Sequence, residues 1–443
     1  MNALSASNLV LCLLLFVSIS KTTVAGLIRD TELETGIQDL AAPLIKAAGY
    51  APNSIDFRII LNINFNAFVA GEQVIYLNSG LLLEAQSAEE ILGVIAHELG
   101  HLKAGHVPRR DETLRDAGRA GTLAALAAIA LAAGGVPNDA AMGLVIGGSD
   151  QAKRKMLRSF RYDEAVADEL GLNYLNKAGI TSTGLVQMMR RMAAQRALPE
   201  NRQSQYYRTH PGTAQRLLIY EDNTKQTSHQ TTKLPIVKQQ LMNRLVNKLR
   251  AYSEPAQTIL NKNDSLDDPN RQYGHAIAYY RRGDLESAYQ LMDTLAQAVP
   301  NDPFYREFMG DILLSMAKPD AAAAAYEEAL ELRPNSPQIQ LNLGRALIAV
   351  HDKSRLQRAI EVITLAKNSE PKWAFIHRQL AIAYGRAGKI ALADLSLAEE
   401  AILVGNEKQA MRLAKRVLKQ TNLSDDLVTR AKDIVFRFGK ASE

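Results

Sequence analysis

His97-Glu98-Leu99-Gly100-His101 places two imidazoles four residues apart with a carboxylate beside the first. On a helix, residues i and i+4 share one face, so both rings can reach a single metal ion while Glu98 flanks it. Zinc in such a place lowers the pKa of its bound water to ~7, and a neighbouring glutamate can take that proton as general base. A catalytic zinc needs a third protein ligand and one open position. His106 is near in sequence, but the metzincin arrangement, with its third histidine on the same segment, has glycine at 104 and histidine at 107. Those positions hold Ala104 and Val107, and His106 reads as structural. The better candidate is Glu164, in the stretch SFRYDEAVAD, with Asp168 one helical turn further on. Glu164 can complete a two-histidine, one-glutamate set, and Asp168 can hydrogen-bond a ligand imidazole from behind. Taken alone, such a pair more often marks a solvated helix face.

These side chains need elements to hold them. Ser87 opens S-A-E-E, a capping box that starts a helix running through ILGVIAHELGHLKAGH. A second helix is predicted from about Asp163 to Leu175, carrying Glu164, and a third over 182–196. Upstream, residues 30–50 have an amphipathic pattern closed by Gly49. Residues 56–65 and 73–78 are rich enough in β-branched and aromatic side chains for strands, with NAFVAGE turning between them. Residues 220–270 are polar with one helical stretch, VKQQLMNRLVNKLRAY, and read as a junction between domains.

The chain has 443 residues, 47% hydrophobic and 22% charged. That length suits two or three domains of ~150 residues, and the composition excludes wholesale disorder, collagen and disulfide scaffolds. The net charge of +5 is spread without an arginine-rich stripe, so nucleic acid is not an expected partner. The apolar run 9–19 is shorter than the ~20 residues a membrane span needs and suits a signal peptide. Cleavage is expected after Ala25. The sole cysteine, Cys12, lies in that leader, so the mature chain would form no disulfide.

Beyond the junction the sequence repeats. Pro300, Pro334 and Pro371 are spaced 34 and 37 residues apart. Ahead of Pro334 come Gly310, Ala322, Tyr326 and Ala329. Ahead of Pro371 come Gly344, Ala359, Ile363 and Ala366, with a short insertion around HDKS. The pattern resembles the tetratricopeptide repeat, with small residues where paired helices touch and a proline after each second helix. Residues 406–419 and 424–438 are expected as closing helices.

HELGH, followed by E-x-x-A-D and then Thr209-His210-Pro211, resembles the gluzincin metallopeptidase group that contains the HtpX membrane proteases and the CAAX prenyl endopeptidases. A leader and a repeat array point to its exported, repeat-bearing members. The resemblance implies an α+β, mostly helical chain: a zinc peptidase domain with a small edge sheet, then a tetratricopeptide-repeat solenoid. The expected bounds are 1–25 leader, 26–225 peptidase, 226–268 helical linker and 269–443 repeats. By the same resemblance, His97, His101 and Glu164 would bind one zinc ion and Glu98 would activate water. Asp168 would donate a proton or support a ligand histidine. His210 would steady the transition state or block the open site. Ser159, Arg161 and Arg216 match positions that recur in the group. Asn66, Ala67 and Phe68 would supply an edge strand along which an unfolded peptide lies by β-augmentation. Membrane-embedded relatives carry spanning helices between the two metal motifs. Here TLAALAAIALAA at 122–133 and AAMGLVIGG are each short of a span. Residues 119–148 read as an alanine-rich hairpin, with a plug or peripheral membrane contact as the functional alternative.

The expected function is a periplasmic zinc endopeptidase for misfolded or stalled outer-membrane proteins. Its repeats would dock on the β-barrel assembly machinery and give it a chaperone role. The competing expectation is a repeat scaffold or chaperone whose metallopeptidase domain is latent.

Overall fold

The computed structural model describes residues 26–70, 73–106, 150–195, 199, 206, 210, 214–261, 268–350 and 352–439. The expected leader, the 119–148 segment, Thr209 and Pro211 lie outside these, as does the side chain of Ser159. The chain divides into two compact units. One comprises Gly36–Met242 with the residues up to Arg29, and the other Asp30–Thr35 with Asn243–Glu443.

The first unit is built on a four-stranded sheet in the order β1-β2-β4-β3. Its strands are β1 (Gly26–Ile28), β2 (Asp56–Leu61), β3 (Ala67–Val69) and β4 (Val74–Asn78). The stretch NAFVAGE, expected as a turn joining neighbouring strands, instead contains β3. β2 and β4 run parallel, and β3 pairs antiparallel with the far side of β4. A parallel pair cannot be joined by a tight turn, so the chain leaves β2, passes beyond β4 and returns. The register aligns Ile59, Leu77 and Ala67 across three strands. All three are fully buried, as the period of two requires of one face.

Helix α1 (Thr31–Ala47) precedes β2, and α2 (Ser79–Glu84) follows β4 directly. α3 (Ala88–Lys103), α4 (Asp150–Lys177), α5 (Thr183–Gln195) and α6 (Ala214–Gln226) complete the surroundings of the site, followed by α7 (Ile236–Ser253). α4 begins well before the predicted Asp163. The Ser87 side chain caps α3 by accepting from the Glu90 amide. From Ala88 to His101 every residue of α3 is buried, because α4 and α5 pack on it along with β3 and β4. Glycines allow the close crossings. A Cβ on Gly184 would stand 2.3 Å from the Glu89 carbonyl, and one on Gly171 3.1 Å from the Ala96 backbone.

The second unit is a stack of helical hairpins. α8 (Ala256–Leu260) leads into the pairs α9 (Pro269–Arg281) with α10 (Leu285–Ala298), and α11 (Pro303–Ser315) with α12 (Pro319–Leu332). Next come α13 (Pro337–Ala349) with α14 (Lys353–Ser369), and α15 (Ala374–Arg386) with α16 (Ile390–Leu403). α17 (Glu407–Val417) and α18 (Asp425–Gly439) close it. Equivalent small residues meet equivalent large ones: Gly310 faces the Tyr326 ring and Gly344 faces Ile363. α14 is 17 residues long where α12 has 14, so the insertion near HDKS lengthens a helix. Asp268, Asp302, Ser336 and Asp352 cap first helices or the lengthened one. The chain is thus α+β and mostly helical. Among the described residues, no helix is long and apolar enough to cross a membrane.

Candidate metal centre

α3 and α4 cross so closely that Glu164 and Asp168 face His97 and His101. The Nε2 atoms of the two histidines are 3.1 Å apart. Glu164 Oε2 lies 3.3 Å from His97 Nε2, and Oε1 lies 3.3 Å from His101 Nε2. His210 brings its Nδ1 to 3.2 Å from His97 Nε2 and 3.0 Å from both Glu164 oxygens. One ligand atom from each of these four residues falls within 4.8 Å of the others, and all four residues are buried. Such a set of imidazole nitrogens and a carboxylate is a divalent-metal donor set.

Glu98 sits beside the cluster, its Oε1 3.7 Å from His210 Nε2. That oxygen is buried without a hydrogen-bond partner among the described residues, a costly state for a carboxylate unless something polar enters the cleft. The cluster and this oxygen together fit a metal with a water or substrate between them.

The His97 nitrogen that faces away from the cluster has a carboxylate at close range. Asp168 Oδ1 is 2.9 Å from His97 Nδ1. Arg216 grips the same carboxylate with Nε to Oδ2 at 2.6 Å and Nη2 to Oδ1 at 2.8 Å. The Tyr220 hydroxyl donates to Asp168 Oδ1, and Arg216 Nη1 reaches Glu164 Oε2 at 3.3 Å. Burial by itself favours the neutral form of every group here, but these charges override it at Asp168, Glu164, His97 and Arg216. Asp168 is held below the usual carboxylate range by His97 and Arg216. Glu164 is held well below its usual value, chiefly by His210 and His101. In the metal-free chain, His97 rises to about 9 because Asp168 and Glu164 outweigh its burial. For His101 burial wins, and its pKa falls well below the ordinary value.

His210 is anchored through Tyr206. Its amide donates to the Tyr206 carbonyl at 2.7 Å, and the two rings lie 4.6 Å apart. The Tyr206 amide in turn donates to the Phe65 carbonyl at 3.1 Å, and its ring meets Phe65 edge-on. Asn66 follows, buried, its carbonyl accepting from the Asn78 amide. Ala67 is buried in β3, and Phe68 stacks on Tyr76 of β4 at 5.1 Å. β3 is an outer strand of the sheet and packs on α3.

The structure therefore brings together His97, Glu98, His101, Glu164, Asp168 and His210, with Asn66–Phe68 leading into the neighbouring edge. Arg161 is exposed on α4. Tyr206 and Tyr220 were not singled out from the sequence. Arg216 and Tyr220 are four apart on α6, a spacing that could have flagged a shared target. His106 lies against His101, with the two Nδ1 atoms 2.8 Å apart.

Residues 28–220 match Peptidase family M48. The "Putative beta-barrel assembly-enhancing protease" of Vibrio cholerae is 28% identical over 294 residues, covering 64% of this chain and 59% of that protein. This chain thus spans about three fifths of that relative's length. The "Beta-barrel assembly-enhancing protease" of Escherichia coli K12 is 24% identical over 412 residues, covering 90% of this chain and 81% of the relative. Among solved structures, a thermophilic TPR protein from Thermus thermophilus aligns at 19% identity and a TM-score of 0.26. It covers 38% of this chain and all of that one (100%).

Proposed function

We propose, from the match of residues 28–220 to Peptidase family M48, a periplasmic zinc endopeptidase that cuts unfolded or misassembled outer-membrane proteins. The observation that carries the catalytic part is the convergence of His97 Nε2, His101 Nε2 and Glu164 with Glu98 alongside. Two imidazoles and a carboxylate with room for a fourth ligand are the donor set of a hydrolytic zinc. The substrate class draws support from the names of the two relatives, both assembly-enhancing proteases of β-barrels. Export draws support from the leader pattern of the first 25 residues.

These three side chains would hold a zinc ion, which would supply a polarised substrate carbonyl and a more acidic water. Glu98 takes the proton of the attacking water and hands it to the leaving amine nitrogen. Asp168, fixed by Arg216 and Tyr220, keeps His97 Nδ1 protonated and its Nε2 lone pair directed at the metal. An extended substrate pairs with the outer edge of β3 at Asn66, Ala67 and Phe68, which aligns its backbone with the cleft. The helical repeats supply a protein-docking surface for the β-barrel assembly machinery and a chaperone role.

His210 favours a resting state. Its Nδ1 stands among the donor atoms at 3.0 Å from Glu164, where the open position of a working site would be. Removal of His210 from that place therefore precedes turnover. A scaffold with a permanently latent peptidase is the second reading that this geometry favours.

The test is incubation of residues 26–443 carrying His210→Ala with an unfolded outer-membrane β-barrel protein and zinc, followed by mass spectrometry. Fragments are expected, and they should vanish when Glu98→Gln is added. Zinc bound without fragments would favour the latent scaffold.

A further inference from the structure

We infer that His106 and Asp163 are positioning residues for the metal centre, acting through His101; this rests on His101 being a ligand through Nε2. His101 Nε2 points at Glu164 and His97, so its lone pair belongs there and its proton must sit on Nδ1. That Nδ1–H meets His106 Nδ1 at 2.8 Å, the rings edge-on with centroids 5.0 Å apart. To accept, His106 must carry its own proton on Nε2. His106 Nε2 faces Asp163 Oδ1 at 3.5 Å, a long electrostatic contact of the right sign for that tautomer. His106 and Asp163 are buried.

The two ligand histidines are thus backed differently. His97 has a carboxylate directly behind it at 2.9 Å, while His101 has an imidazole with a carboxylate beyond. Asp163 and Asp168 are five residues apart on α4, and Glu164 between them turns to the opposite nitrogens. One helix therefore supplies a ligand and both carboxylates behind the ligands.

Local backbone chemistry builds the contact. α3 ends at Lys103, with the Ala104 amide bonded to the Gly100 carbonyl. Gly105 then takes φ +66°, the left-handed conformation that terminates helices and that glycine adopts without strain. The reversal carries His106 back along the helix to His101. K-A-G-H is a C-terminal cap with a functional side chain after it.

The test measures zinc affinity by competition with a chromophoric chelator for the wild-type chain and for His106→Phe, His106→Gln and His101→Ala. His106→Phe keeps a ring but offers no acceptor, and should weaken zinc binding about 10–100-fold. His106→Gln offers an amide oxygen and should recover most of that loss. Equal weakening in both variants would mean that His106 only packs. Unchanged affinity in His106→Phe, with zinc lost in His101→Ala, would overturn this inference and leave the metal site standing. Unchanged affinity in His101→Ala would overturn the metal site itself. A measurement on the wild-type chain guards against misfolded variants. With cobalt(II) in the site, the His101 ring N–H should appear as a paramagnetically shifted proton that exchanges slowly with water. Rapid exchange of that proton would show that nothing accepts it, and would sink the proposal.

Discussion

Gly100 of α3 packs directly on Ala167 of α4: a Cβ at Gly100 would stand 2.5 Å from the Ala167 carbonyl oxygen and 2.9 Å from its Cα. The obstacle is backbone, so no side-chain rotation relieves it. The glycine inside HELGH thus sets the helix separation at which Glu164 reaches His97 and His101. Gly100→Ala should destabilise the chain by about 1–3 kcal/mol and lower its metal content, read by thermal unfolding and by metal analysis. A variant that melts and binds metal as the wild type does would contradict this account of the crossing.

Arg216 and Asp168 form a buried bidentate pair. Arg216→Met would leave the Asp168 carboxylate in an apolar setting with only Tyr220 and His97 as partners. A cost of about 3–5 kcal/mol is expected, measurable by urea unfolding. A cost under about 1 kcal/mol would show that the pair behaves as a surface ion pair.

Metal uptake should release a proton. In the metal-free chain His97 titrates near 9, above its ordinary value of 6.5. The stabilisation from its charged form is therefore complete below about pH 6.5 and is lost as pH rises through about 9. A metal ligand must be neutral, so binding at about pH 7.5 expels this proton. Calorimetric titration in two buffers of different ionisation heat should give different apparent enthalpies. Identical enthalpies would refute protonation of His97.

Glu399 of α16 offers a second pH test, within the repeats. It is bonded by His377 Nδ1 of α15 at 3.0 Å and by Arg430 of α18. Burial would raise its pKa, but these partners outweigh it and hold the carboxyl near 2, against an ordinary 4.5. A lowered carboxyl contributes stability above pH ~4.5 that disappears as pH falls toward 2. Glu399→Gln should cost about 1–3 kcal/mol at neutral pH and flatten the acid limb between those values in unfolding curves. An unchanged acid limb would argue against the contact.

Much of the centre was legible in the sequence because its signals are local. The HELGH spacing needs only a helix, and the capping box at Ser87 starts one. Glu164 and Asp168 share a helical face for the same reason. The repeat hairpins were legible through recurring small residues and prolines, since each unit packs mainly on its neighbours. The closing helices α17 and α18 fall where a pattern of that kind places them.

What the sequence could not show is whatever depends on the relation between distant segments. The parallel pairing of β2 with β4 was hidden because the strand pattern does not encode partner order. The link from Phe65 through Tyr206 to His210 joins residues far apart in the chain. His106 had the wrong spacing for a ligand, and only the Gly105 reversal reveals that it faces the back of His101. The sequence alone determined which atoms could hold a metal. The tertiary structure decided how each ring is oriented and which side chains converge on the two histidines, because orientation is set by packing and hydrogen bonds between helices rather than by spacing within one.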